Sequence, residues 1–225
     1  MREVASTVVK TRSLGDTQIL AVLDSDDPEA DDYVNHAAPL YDTYFPIHEG
    51  GMVNALNAAA SYVINERPDV TILGFVGDDH RFRTLHWDGK IQQALKRPGY
   101  AYGYDGFWQK GEIPTQIFIS REIVEALGYF ALPDCRHLYV DNAWRSVAEG
   151  AGVLHYLSDL YIEHMHPAHP DKKAEWDEGY KRVNSEEMYS HDRAAFESWR
   201  ASGRFASDVR KVRRVVLAPA TIATR

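Results

Sequence analysis

Two adjacent carboxylates, Asp78 and Asp79, follow the apolar run Val70-Thr71-Ile72-Leu73-Gly74-Phe75-Val76, which stops at Gly77. Much later a His-x-His pair, His164 and His166, ends another strand-like run. A carboxylate left unpaired beside an apolar core is costly, and a divalent cation is the partner that also employs imidazoles. The acid arrangement occurs once before, where Ile19-Leu20-Ala21-Val22-Leu23 runs into Asp24-Ser25-Asp26-Asp27-Pro28. If the two strands lie parallel in one sheet, both acid clusters reach its carboxyl edge, where open α/β folds bind ligands. The chemistry expected there is the binding of a nucleotide diphosphate through a metal. Taken singly, each cluster also reads as an ordinary turn or helix N-cap.

His164 and His166 point to the same side if the strand persists that far, and His169, flanked by Pro167 and Pro170, falls on a turn. Asp141, in Tyr139-Val140-Asp141-Asn142, stands at or just inside the start of a helix. There it either complements the helix terminus or serves as a general base toward an attacking hydroxyl. The stretches Tyr102-Gly103-Tyr104-Asp105-Gly106 and Gly111-Glu112-Ile113-Pro114-Thr115 mix glycine, aromatics and acids as sugar-binding clefts do, and as loops do. Cys135, the sole cysteine, has no evident paired base and reads as a buried filler.

Positioning these groups falls to an alternation of strands and helices. Residues 3–13 read as a helix, 18–23 as a strand, 28–36 as a short helix opened by Pro28, and 44–47 as an extended piece. An alanine-rich helix over 52–65 precedes strand 70–76, and a helical pattern runs from 87 to 96. This order signals a parallel α/β sheet. Beyond it come strands 100–104 and 116–119, a helix over 120–128, and a helix within 137–150. Two short strands follow at 153–156 and 160–164. The charged stretch 171–201 reads as helical, with Trp176, Tyr180, Val183, Phe196 and Trp199 to dock it.

At 225 residues, 44% of them hydrophobic and 12% aromatic, the chain can bury one good core. We expect a single domain over 1–225, with a nucleotide-binding half (1–98), an acceptor and catalytic half (99–170), and a helical extension with a basic tail (171–225). One cysteine excludes an intramolecular disulfide framework. No apolar run reaches the roughly 20 residues needed to span a bilayer. A soluble, cytoplasmic protein is expected, in the host cytoplasm if phage-encoded. The net charge of −8 argues against broad attraction to nucleic acid or anionic lipid, although the C-terminal stretch from Arg200 is basic.

In this order, several motifs resemble the GT-A glycosyltransferases, near family 2, including actinobacterial and phage members. They are an acid-terminated early strand, Gly50-Gly51-Met52-Val53-Asn54-Ala55-Leu56-Asn57, Gly74-Phe75-Val76-Gly77-Asp78-Asp79-His80-Arg81, Trp87-Asp88, Tyr139-Val140-Asp141-Asn142 and Ile162-Glu163-His164-Met165-His166-Pro167. The resemblance covers roughly residues 15–200. It implies a GT-A fold, a mainly parallel central sheet flanked by helices with a C-terminal helical extension. It also implies a nucleotide-sugar donor (a UDP- or GDP-sugar) whose diphosphate is bridged by Mn or Mg.

Asp79 matches the last acid of the family's Asp-x-Asp metal motif, and Gly77 stands where its first acid is usual, so that Asp78 is assigned to the ribose or diphosphate. Asp24 matches the acid that contacts the base, with Asp26 close by and Asn54 joining the donor set. Asp141 matches the second position of the catalytic Glu-Asp pair, which implies inversion with Asp141 as base. His164 or His166 matches the late metal-binding histidine. The family's usual opening strand and basic loop have no counterpart before residue 3. Residues 214–218 resemble that strand, and we expect them to insert beside 18–23 with Arg225 near the nucleotide.

Other activities fit some of the same residues. A nucleotidyltransferase would release pyrophosphate, a metallohydrolase would cleave esters without a nucleotide, and a noncatalytic binder would hold a nucleoside diphosphate or glycan without turnover. The acceptor is open: glycan, protein, small molecule or modified nucleic acid.

Overall fold

Alternate residues of two central strands go to opposite sides of one sheet, and both sides are buried. In β5 (Tyr100–Tyr104), Tyr100 and Tyr102 join one apolar cluster while Ala101 joins the other; in β6 (Ile117–Ser120), Ile117 and Ile119 separate from Phe118 in the same way. A period of two with no polar face is what a doubly covered sheet requires. The structure, a computed structural model, describes residues 2–13, 15–24, 43–47, 51–106, 111–169, 171 and 174–218.

Before those strands come α1 (Arg2–Thr11), β1 (Leu20–Asp24), β2 (Thr43–Ile47), α2 (Gly51–Glu66), β3 (Ile72–Phe75), β4 (His80–Phe82) and α3 (Trp87–Ala94). After them come α4 (Arg121–Leu127), α5 (Val140–Ala151), β7 (Leu154–His164), α6 (Glu178–Val183), α7 (Glu186–Ala201) and α8 (Gly203–Leu217). The expected short helix at 28–36 lies outside the described residues.

The fold is α/β, but the expected mainly parallel sheet is not what forms. Among the described residues five strands form one sheet in the order β3-β6-β5-β7-β4, in which β5 and β7 pair parallel while β3/β6, β5/β6 and β4/β7 are antiparallel. The link over 105–116 contains Gly106, Gly111 and Pro114 in place of the helical pattern that a parallel crossover needs, so β6 returns antiparallel to β5. Strand β1 is parallel to β2 in a separate two-stranded sheet. The acid-terminated strands β1 and β3 are therefore not members of one sheet.

Residues 214–217 are not a strand beside 18–23; they form the last turn of α8. Phe205, Val209, Val212 and Val216 recur at helical spacing; Phe205, Val212 and Val216 join the larger core cluster, Val209 is buried, and Arg210, Arg213 and Arg214 are exposed. Helix α8 packs on α4 and α5. Arg225 lies outside the described residues.

The two expected strands at 153–156 and 160–164 are one bent strand. Up to Leu157, β7 runs in register with β5; then the register jumps so that Tyr104 pairs with Tyr161. Its far end pairs with β4, placing His80 opposite His164. The jump brings β7 against Gly103, where an added Cβ would lie 2.4 Å from the Leu160 carbonyl oxygen. Gly103→Ala is expected to cost about 1–3 kcal/mol by overpacking, read as a fall in Tm of roughly 3–10 °C for a chain of this size.

Helices α1 and α3 cover one face, through Val4, Val8, Trp87 and Ile91. Asp88, buried in α3, fastens them by accepting the Ser13 backbone N–H at 2.9 Å and the Ser13 hydroxyl at 2.9 Å. No helix of the described residues is long and apolar enough to cross a membrane.

Candidate metal centre

Beyond β3 the chain turns sharply at residues 77–80, closed by a hydrogen bond from the His80 backbone N–H to the Gly77 carbonyl at 3.1 Å, and re-enters the sheet as β4. Two further backbone bonds hold the end of β7, one to this turn and one to the residue that follows β5. The Met165 N–H donates to the Asp79 carbonyl and the His164 N–H to the Asp105 carbonyl, each at 2.9 Å. Three segments distant in sequence thus converge at one corner of the sheet.

Asp79 is the centre of that corner. Its Oδ1 lies 3.0 Å from His80 Nδ1 and its Oδ2 lies 2.9 Å from His164 Nε2. Tyr180 of α6 donates its hydroxyl to the same Oδ2 at 2.5 Å. The two imidazoles, facing each other across the β4/β7 pair, stack at 4.4 Å. Burial would raise the Asp79 carboxyl, but the bonds with His164 and His80 outweigh it and hold it well below the usual carboxylate range. His80 is 2% exposed, and burial lowers its pKa against the pull of Asp79. Burial and the Asp79 charge push the Tyr180 phenol up, so it stays protonated and remains a donor.

The chemistry of this group suits a cation. Ligand atoms of Asp79, His80 and His164 all lie within 4.8 Å of one another. The two 3 Å separations match the edge between neighbouring ligands of a six-coordinate ion with bonds of about 2.1 Å. His80 Nδ1 is also 3.1 Å from the Gly77 N–H. If that nitrogen is protonated, the Gly77 N–H loses its acceptor; if it is not, lone pairs face the carboxylate. The remaining ring nitrogens, His80 Nε2 and His164 Nδ1, have no hydrogen-bond partner among the described residues.

The sequence-expected residues fall around this point in different ways. Asp79 and His164 meet in the cluster. His166 lies just past the end of β7, edge-on to His164 at 5.2 Å, to Trp176 at 5.7 Å and to Tyr180 at 5.5 Å. Its Nδ1 accepts the Ala168 N–H at 3.1 Å, and burial, with the nearby His164 charge, lowers its pKa to about 4. His169 is buried in the following turn.

Asp78 is exposed on the turn beside Asp79, and Asn54 is exposed on the first turn of α2, outside the cluster. Asp24 ends β1, and Asp26 and Arg225 lie outside the described residues. Asp141 occupies the first turn of α5, where its Oδ1 accepts the Asn142 N–H at 2.8 Å. Burial raises its pKa to about 6, and backbone hydrogen bonds and the charge of His164 pull it back only partly. The helix starts after Tyr139, held at φ 62°, a conformation that costs energy in a non-glycine residue.

Sequence reasoning missed three contributors. His80 adjoins the acid pair, but β4 is only three residues long and gave no strand signal. Asp105, 3% exposed, supplies the carbonyl that holds His164, and its charge is felt by His80. Tyr180 arrives from 101 residues away and was assigned only to core docking. No protein-family model matches the chain, and no match to a curated protein is found.

Proposed function

We propose that this protein is a metal-dependent glycosyltransferase of GT-A type, transferring a sugar from a nucleotide-sugar donor to an acceptor hydroxyl with inversion. The observation that carries the reading is the Asp79, His80 and His164 cluster at the end of an apolar strand; Asp141, a half-buried carboxyl whose pKa is raised to about 6, would suit a general base. Asp79, His80 and His164 would hold the cation, which supplies charge stabilisation to a departing diphosphate. Asp78, exposed beside them, would contact the donor.

Asp141 would take the proton from the acceptor hydroxyl as it attacks. An open depression of about 610 Å³ between α5 and α7, lined by Asn142, Arg145, Ser146, Phe196, Glu197 and Arg200, would offer an aromatic face and hydrogen-bonding groups to an acceptor. The test is a panel of UDP- and GDP-sugars with Mn2+, read as release of nucleoside diphosphate. Wild type should turn over one donor, and Asp79→Asn should weaken Mn2+-dependent nucleotide affinity by at least about tenfold. No release with any donor, together with unchanged affinity in Asp79→Asn, would sink the reading.

One observation favours a second reading. Two imidazoles and one carboxylate are also the protein donor set of hydrolytic zinc sites. Zn2+-dependent cleavage of an ester without any nucleotide would identify a metallohydrolase.

A further inference from the structure

Tyr180 lies on α6, a six-residue helix with no buried residue of its own, yet its hydroxyl reaches the Asp79 carboxylate. Its position is over-determined. Asp177 caps the helix by accepting the Tyr180 N–H at 2.8 Å, and the phenol ring stands edge-on to His166 at 5.5 Å and to Trp176 at 6.2 Å. A half-buried tyrosine gripped on two sides and aimed at a ligand oxygen is more than a surface contact.

The contacts of Asp79 differ in what a bound cation would do to them. An imidazole nitrogen that ligates a metal offers its lone pair to the ion and has no proton left to donate from that atom. The approaches of His80 Nδ1 and His164 Nε2 to Asp79 would then become contacts between ligands of one ion. The Tyr180 hydroxyl has no such conflict. It can donate to the carboxylate with or without the cation, in the way that hydrogen-bonded neighbours fix ligating carboxylates in metal sites generally.

We propose that Tyr180 is a positioning residue of the metal centre: its hydroxyl fixes the Asp79 carboxylate in the orientation that faces His80 and His164, which makes α6 a structural part of the site. This rests on the metal-binding part of the function proposed above. It adds that the C-terminal region contributes to cation affinity, and that α6 stays docked when the cation is bound.

The test uses the full chain stripped with EDTA and titrated with Mn2+ by calorimetry, for wild type, Asp79→Asn and Tyr180→Phe. Wild type should bind, Asp79→Asn should lose binding, and Tyr180→Phe should bind about 10–100-fold more weakly, with an altered electron paramagnetic resonance spectrum for the bound Mn2+. A merely structural tyrosine would lower the Tm of the metal-free variant and leave its affinity for Mn2+ within twofold of wild type; that outcome overturns the proposal. No Mn2+ binding by wild type, or full binding by Asp79→Asn, would overturn the metal reading and this proposal with it.

A second measurement does not depend on the folding of Tyr180→Phe. Trp176 touches both Tyr180 and His166, so its fluorescence, taken as the difference between wild type and Trp176→Phe, should be quenched by paramagnetic Mn2+ and not by Mg2+. Equal emission in the two ions at saturating Mn2+ would place α6 away from the occupied site and refute the proposal.

Discussion

Replacing Asp192 with alanine should cost about 3–5 kcal/mol of stability, the range for a buried charge network broken on one side. Asp192 is fully buried in α7 and collects a row of backbone donors from the loop that leads into α5. Its Oδ1 accepts the Arg136 N–H at 2.9 Å, and its Oδ2 accepts those of His137 at 2.8 Å and Leu138 at 2.6 Å. His191 Nδ1 approaches Oδ1 at 2.8 Å. Without the carboxylate three N–H groups lose their acceptor, and each buried orphan costs about 1–3 kcal/mol. Asn could keep the His137 and Leu138 bonds with its one oxygen, but its NH2 would then face the Arg136 N–H, donor against donor.

The pH dependence identifies the cause. Burial opposes the Asp192 charge, but the bonds from His191 and the three backbone groups outweigh burial and lower its pKa below the ordinary 3.8. A carboxyl with a depressed folded pKa contributes stability that is present above its unfolded pKa and lost as pH falls through the folded one. The gap between wild type and Asp192→Ala, measured by urea unfolding, should be full at pH 7 and narrow below about pH 4. A gap that is constant from pH 7 to pH 3 would show that lost packing, not lost charge, is responsible.

Elements whose signal lies within one segment were legible in the sequence. The apolar runs of β3, β5 and β6 and the helical stripes of α2 and α5 each carry their own periodicity, and the observed elements start and stop within a few residues of the expected ones. What depends on pairing was not legible. Strand direction hangs on the link over 105–116, and β4 exists because His80-Arg81-Phe82 finds β7, not because three residues form a strand alone. Residues 214–217 are helical where a strand is expected because the resemblance rests on a few residues alone, while the helical period that begins at Phe205 runs through them.

The site divides along the same line. Asp79 and His164 each stand at a strand end and could be picked out by residue type. The partners that complete the cluster come through tertiary contacts: His80 through the β4/β7 register, Asp105 through its carbonyl, and Tyr180 through the docking of α6. Charge and hydrogen-bonding chemistry can be read from a chain one residue at a time. Convergence at an atom cannot.

Asp141→Asn should move stability and transfer in opposite directions. Burial raises the Asp141 carboxyl to about 6, so in the metal-free protein at pH 7 the ionised form is held at a cost. For an acid with a raised folded pKa the penalty is absent below the unfolded value of about 3.9, grows between there and pH 6, and is full above it. That displacement corresponds to roughly 3 kcal/mol at most. A neutral asparagine avoids it. With EDTA present, Asp141→Asn should therefore be about 1–3 kcal/mol more stable than wild type at pH 7 and indistinguishable from it near pH 3.5. If the side chain is the base, the same substitution removes the proton acceptor, and transfer to the acceptor should fall by about 10²–10⁴-fold while Mn2+ and nucleotide affinity are kept. Wild-type transfer should rise with pH as Asp141 ionises, a limb that the variant lacks. Native-rate transfer in Asp141→Asn would reduce Asp141 to a half-buried acid at the helix start, and equal stability at pH 7 would show that its partial burial carries no strain. A gain in stability paired with a loss of transfer is the signature of a group kept charged against its surroundings for the sake of chemistry.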